Sequence, residues 1–343
     1  MAASSESERR SRALALVEGL QARHVRRLEA FSRAAGHPTG FTPVSWDRDR
    51  GRHGGGTRYQ AAGGAFDRAS VNVSCVHYDD QPGKALASAT ALSAIVHPAH
   101  PRAASMHLHV SWTARKDGHA YWRIMADLNP SMPDAAQTAA FRSALSAAAG
   151  TRWEAGRDDG DRYFAIPALA RHRGVCHFYL EGLDSGDFEA DLALGEAIET
   201  AVIDTYAGLI TAAVERAGDP TPEERAAQLA YHTVYLFQVL TLDRGTTSGL
   251  LVHGDNDVGI LGSLPSRVDR GLLASWRPRV PPVQAALVDG LVAALEAGAT
   301  SPVDEPAKRR LADAVRAHYA AHPEALALQA RGTVLPPTVA NHR

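Results

Sequence analysis

Cysteine is nearly missing from this chain of 343 residues: Cys75 and Cys176 are its only two. They form no CxxC pair and no disulfide framework, which points to a compartment where thiols stay reduced. No stretch approaches the ~20 consecutive apolar residues of a membrane-spanning helix. The opening residues, MAASSESERRSR, lack the apolar core of a signal peptide. Net charge is small as well. With 36 basic and 38 acidic residues the formal charge is -2, which argues against a general nucleic-acid or membrane-surface binder. No G-x-G-x-x-G opens a helix after a strand, and there is no CxxCH and no Walker lysine pattern, so flavin, nicotinamide, haem and nucleotide have no signature here. No repeat of 20–50 residues is evident. The expectation is a soluble cytoplasmic enzyme, with 45% hydrophobic residues to build a large core in one or two domains.

Histidine, by contrast, is plentiful: there are 16. Four of them, His97, His100, His107 and His109, fall in one stretch from Ser93 to Pro130 that Asp127 closes. From Ser105 to Thr113, Met106, Leu108, Val110 and Trp112 alternate with polar residues. Period two predicts a strand with one apolar face, and it projects His107 and His109 from the other, about 7 Å apart. Ala91 to Val96 is a second strand ending at His97, stopped by Pro98 and Pro101. If the two pair as a hairpin, His97 approaches the face that carries His107. His119 to Ala126 reads as a third strand, with Asp127 just past its end. A single histidine on a half-buried strand is usually an ordinary hydrogen-bonded group. Four so close together, with a carboxylate at the rim, suit metal binding or acid–base work.

The rest of the chain alternates helix and strand. Residues 1–12 are polar and expected to fray, 13–328 to form a single domain, and 329–343 to be a loose tail. A helix runs to about Ala35, with a structural His24 on its apolar face. Asp47 to Gly56, DRDRGRHGGG, reads as a loop, either an anion cradle or a flexible lid. Val71 to Tyr78 is a strand, Pro133 to Ala149 a helix, and 151–161 a charged mobile loop. Val175 to Glu181 is a strand and Phe188 to Ala217 a long helix. Thr221-Pro222-Glu223-Glu224 is a capping box opening another helix. Thr233 to Leu242 and Asp257 to Gly262 complete seven strands, before a largely helical segment from Val283 to Leu328. The fold class is α/β (α+β): a large central, mostly antiparallel sheet of about seven strands flanked by helices on both faces.

The order of motifs from about Ser45 to Trp276 resembles that of the oxygen-dependent coproporphyrinogen III oxidases. GGGTRYQ and GGAFDRASVNVSCVH are similar to the family's glycine-rich stretch and its VFE-x-AGVN-S-VH segment. SAIVHP resembles SLVIHP, ADLNP resembles DLTP, and Asp161, Tyr163, Phe164 and His172-Arg173 resemble D-x-YF…KHR. LDRGTTSGL and ILGSLPSRVDRGLLASW follow in the same order. The resemblance implies the sheet fold just described, with a deep cleft, and a homodimer. It implies an enzyme that uses dioxygen to turn propionate side chains of a porphyrinogen into vinyl groups with release of carbon dioxide. No organic cofactor is implied, while a divalent metal, iron or manganese, is an open expectation. By motif position, Ser93 and Asp127 match substrate-contacting residues. His97, His107 and His172 match metal ligands, and His107 also matches a proton donor.

Departures from the family pattern bear on the substrate. The family's H-x-N-x-R is here His107-Leu108-His109-Val110-Ser111, so an arginine becomes Ser111. Its TGGR is Val252-His253-Gly254-Asp255, so a second arginine becomes an acid. Its HWHR is Ala139-Ala140-Phe141-Arg142, which puts Phe141 at the fourth metal position. Its GGG before DLTP falls on Arg123-Ile124-Met125-Ala126. Arginine is the residue suited to clamp carboxylates. His109, Ser111 and Asp255 are then substrate-facing candidates, and Arg58, Arg142 and Arg244 are candidate replacements for the lost arginines. Arg244 has an alternative structural use, paired with Asp243 at a turn. Three functions remain open on these residues. The first is a divergent coproporphyrinogen oxidase. The second is a metal-dependent oxidase on the same scaffold, acting on a smaller amino-acid- or indole-derived substrate. The third is a non-catalytic tetrapyrrole-binding protein.

Overall fold

The computed structural model of the chain describes residues 5–254 and 256–330. The helix α1, Glu6–Ala34, begins with a capping box between Ser5 and Glu8, so the polar residues 6–12 expected to fray are helical. Its buried stripe includes Val17, Leu20, His24, Leu28 and Phe31. Six strands follow in succession: β1 (Thr42–Asp47), β2 (Gly54–Gly63), β3 (Phe66–His77), β4 (Leu86–Pro98), β5 (Ser105–Arg115) and β6 (Ala120–Asn129). Helices α2 (Ala135–Ala149) and α3 (Trp153–Tyr163) lead to two short pairing strands, β7 (Ala165–Ile166) and β8 (Arg171–His172). β9 (Cys176–Leu183) then returns to the main sheet, whose order is β1-β2-β3-β4-β5-β6-β9, antiparallel at every step. The helical remainder is α4 (Phe188–Glu215), α5 (Pro222–Thr241), α6 (Arg244–Val252), α7 (Asp257–Ile260), α8 (Arg270–Ser275), α9 (Pro282–Ala294) and α10 (Glu305–Ala321).

Alternation along the strands gives the sheet two buried faces. Val71, Leu92, Leu108, Val110, Ile124 and Phe178 point to one side, where α1, α2 and α4 cover them. α4 is long and apolar enough to cross a membrane by length and composition. Here its residues Ile198, Val202, Tyr206 and Ile210 belong to this core. The opposite face carries the polar set, and α5 to α10 build a second apolar cluster over it that Ile95 of β4 joins.

Seven strands were expected and seven form the main sheet, although two of them are different ones. Thr233–Leu242 continues the helix α5 that the Thr221–Glu224 capping box starts. Every residue from Tyr231 to Thr241 is buried, so no polar face reveals the helical period and only the β-branched and aromatic content is left to read. Asp257–Gly262 is a helical turn, too short to show any period. In their place stand β1 and β2. β1 is an edge strand with both faces largely exposed, and β2 opens on Gly54-Gly55-Gly56. These glycines are neither cradle nor lid. A Cβ on Gly56 would sit 2.1 Å from the Val73 carbonyl oxygen, so the close passage of the strands requires glycine there. The charged segment 151–161 is also ordered, as α3, with Trp153 stacked on Phe178. Of the expected loose tail, Gln329 and Ala330 are bonded, Gln329 to the Tyr319 hydroxyl and the Ala330 amide to the Leu242 carbonyl.

Candidate active site

The polar face of the sheet floors a cleft of about 410 Å³, roofed by residues from α5, α6 and the turn around Ser263. Strand register puts the floor residues in rows. One row runs Arg58, Asn72, Ser93, His109, Met125, Tyr179 from β2 to β9. The next row toward the closed end runs Ser70, Ile95, His107, Asp127, His177. His107 and Asp127 are therefore direct cross-strand partners, and Asp127 lies within β6, not beyond its end.

That pair anchors the site. Asp127 Oδ1 is 2.8 Å from His107 Nδ1. Asn129 Nδ2 donates to Oδ2 at 2.6 Å, and Arg173 Nη2 donates to both oxygens at 2.9 Å. Arg173 Nη1 donates to Gln238 Oε1 at 2.7 Å, and its guanidinium carbon lies 4.5 Å from the centre of the Phe164 ring. Burial would raise the Asp127 carboxyl. Arg173 and His107 outweigh it and hold the group down at about 2. An ionised carboxylate only accepts, so Nδ1 of His107 carries the hydrogen. Among the described residues Nε2 has no partner, and His107 lines the cleft. It can accept a proton when neutral and donate one when charged. Asp127 itself is fully buried, and its lone pairs are taken by three neighbours. It does not line the cleft. The expectation of a rim carboxylate touching substrate is corrected: Asp127 orients His107 and neutralises Arg173.

The expected metal set does not assemble. His97 shares the sheet face of His107, but Nδ1 is bonded to Ser105 Oγ at 2.9 Å and Nε2 to the Ser263 carbonyl at 3.2 Å. Its ring is packed among Tyr231, His232 and Tyr235, where burial, with His232 adding to it, holds it neutral, well below the usual histidine range. His172 on β8 is exposed, its ring against His177, and does not line the cleft. Phe141 packs in the opposite core. Among the described residues no group of three His, Cys, Asp or Glu side chains is placed to hold an ion. The donor set for iron or manganese therefore does not fit, because each of the three histidines is committed to a different place.

The substrate candidates divide in the same way. Ser93, His109, Ser111 and Arg58 line the floor. His109 Nε2 bonds Ser111 Oγ at 3.0 Å, and burial, helped by His107, holds the ring neutral down to about 3. Arg58 Nε donates to Gln60 Oε1 at 3.2 Å, and burial lowers its pKa. Arg142 is exposed on α2, which covers the other face. Arg244 lines the cleft and pairs with Glu181, while Asp243 instead caps α6 through the Thr246 amide and accepts from the Tyr163 hydroxyl at 3.0 Å. Asp255 lies outside the described residues. Arg173 is the functional residue that sequence reasoning passed over. The signal in the sequence is its place beside His172 in the run Arg171-His172-Arg173.

A floor of polar side chains on an antiparallel sheet, with a carboxylate-oriented histidine under a helical roof, defines a small-molecule enzyme cleft. Comparison with known proteins names the family. The sequence profile described as coproporphyrinogen III oxidase matches residues 12–278. The protein named oxygen-dependent coproporphyrinogen-III oxidase in Rickettsia bellii (strain OSU 85-389) is 28% identical over 256 residues, 70% of this chain and 89% of that one. Its namesake in Rickettsia akari (strain Hartford) is 28% identical over 246 residues, 67% of this chain and 85% of that one. The chain belongs to the coproporphyrinogen III oxidase family, and by class it is an oxidoreductase.

Proposed function

We propose that this chain is an oxygen-dependent oxidase of a carboxylated porphyrinogen, converting propionate side chains to vinyl groups. In each conversion the bond to the carboxylate breaks and carbon dioxide leaves. The side-chain carbon attached to the pyrrole ring gives up a hydrogen with its electron pair, dioxygen takes that hydride, the electrons of the broken bond to the carboxylate form the double bond, and one further proton completes hydrogen peroxide. No organic cofactor enters this balance. The observation that carries the reading is His107. Asp127, itself held by Arg173, fixes its Nδ1, leaving Nε2 open to the cleft as the group that supplies or relays the proton. Arg58, with no carboxylate partner among the described residues, is the cation for a propionate at the β2 end.

The test is an aerobic assay with coproporphyrinogen III, read by vinyl product and carbon dioxide, with an anaerobic control. Wild type should turn over only with dioxygen. His107→Ala should lose about 100-fold or more in kcat, the usual size of a positioned proton donor, with unchanged circular dichroism. No turnover by wild type, or full activity in His107→Ala, would refute the proposal.

A further inference from the structure

Arg123 stands in β6 between Ser111 on β5 and Glu181 on β9. It lines the cleft. Its Nη2 donates to the Tyr121 hydroxyl at 3.3 Å, its guanidinium carbon is 5.2 Å from the Tyr121 ring centre, and its Nε is buried without a partner. Glu181 is taken by Arg244, and among the described residues no carboxylate pairs with Arg123. A half-buried guanidinium without a counter-charge is costly to hold in the empty protein. The same planar fork is suited to receive a carboxylate through two parallel bonds. Its neighbour across the strand is the small Ser111, which leaves room for that ligand. Arg58 repeats the pattern at the other end of the floor, with Gln60 as its partner.

The sequence pattern adds a second observation. Where the family motif H-x-N-x-R carries its arginine, this chain has Ser111, and the family's glycine run falls on Arg123 to Ala126. Ser111 and Arg123 are direct cross-strand partners. On this part of the floor the guanidinium belongs to β6, directly across from Ser111.

We propose that Arg123 is a second carboxylate-binding residue of the cleft, holding one propionate of the substrate at the β6 end while Arg58 holds another at the β2 end. This assignment rests on the porphyrinogen reading above. β2 and β6 are four strand spacings apart, about 19 Å between backbones, before the side chains reach inward. A ligand that meets both arginines is a large ring with several carboxylates, and a single amino acid does not span them.

The test uses the full chain and coproporphyrin III, the stable oxidised tetracarboxylate, titrated by porphyrin fluorescence. Its tetramethyl ester, dispersed in mild detergent, is the uncharged control. Arg123→Gln should weaken tetracarboxylate binding by about tenfold or more and leave the ester unchanged. The double variant Ser111→Arg with Arg123→Gln should return to within about threefold of wild type, because it restores the cation one strand away. A weakening of both ligands together, or a double variant no better than Arg123→Gln, overturns a carboxylate role and makes Arg123 structural. Equal binding of the tetracarboxylate by wild type and Arg123→Gln overturns the inference and leaves the proposed function standing. No binding by wild type overturns the proposed function, and this assignment of a propionate with it.

Discussion

On the cleft face of the sheet Asp127 is fully buried and its carboxyl is held low, while on the packed face Glu199 of α4 is equally buried and its carboxyl is pushed well above the ordinary range. Burial pushes both carboxyls up. Asp127 is pulled back because Arg173, Asn129 and His107 surround it. Neither Glu199 oxygen makes a hydrogen bond of normal geometry, and the Met125 backbone only weakly offsets burial. The histidines repeat the contrast. His107 is clamped by a charge and faces the cleft, whereas His24 on α1 has both nitrogens buried and unpartnered and is neutral down to about 3. Asp127 keeps its charge because counter-charges surround it, whereas Glu199 and His24 survive burial by shedding charge. Only the first arrangement leaves an oriented group for proton chemistry.

The largest effect should come from breaking the paired side. Asp127→Asn leaves Arg173 buried with no counter-ion and should cost about 3–5 kcal/mol of stability, besides turnover. Denaturant unfolding reads the loss. Adding Arg173→Met to that variant should recover most of the stability and none of the activity. Recovery of neither would mean that the pair supports the fold through more than its charges.

A smaller effect tests the charge-shedding groups together. His24 and His109 are neutral down to about 3, and His97 is also held well below its ordinary value, each chiefly by burial. In the unfolded chain each takes up a proton below about pH 6.5. Their contribution is therefore fully present above that value and is lost as pH falls toward their folded values. Stability should drop by roughly 1.4 kcal/mol per pH unit for each histidine below about pH 6. His24→Leu should flatten the slope by one proton, read from denaturant midpoints between about pH 8 and pH 5. An unchanged slope would mean that His24 is already protonated in the fold.

The sequence announced the cleft face more clearly than its chemistry. Strict alternation from Ser105 to Thr113 put His107 and His109 on one face, and the β4–β5 hairpin follows the prolines that bound it. The capping box at Thr221–Glu224 located α5 because the cap is a local device, while the box at Ser5–Glu8 that opens α1 was not read. Glycine-rich β1–β2 and the all-round apolar end of α5 carried no readable period, since their burial depends on neighbours far along the chain. The site fared likewise. Motif order named His107 and Asp127, but register decided that Asp127 faces inward to Arg173, and rotamers decided that His97 turns to Ser105 and Ser263. Residue identity shows which side chains are able to bind an ion. Whether their nitrogens are free is a tertiary fact.

The smallest expected effect reverses the usual sign of a core substitution. Glu199 has its folded pKa raised well above the ordinary carboxylate value by burial. The fold therefore keeps a proton that the unfolded chain releases above about pH 4.3. Its contribution to stability is fully present below that value and is lost as pH rises toward the folded one. Glu199→Gln has the same shape and no proton to lose, so it removes this penalty at neutral pH. The amide brings two donors into a place with few acceptors, which cancels part of the gain. The net result should be a gain of about 1 kcal/mol near pH 8 that disappears near pH 4. Thermal unfolding at the two pH values measures it. If Glu199→Gln destabilises the protein at pH 8, the carboxylate is ionised and paired there, and the contrast between the two faces fails at the residue that defines it.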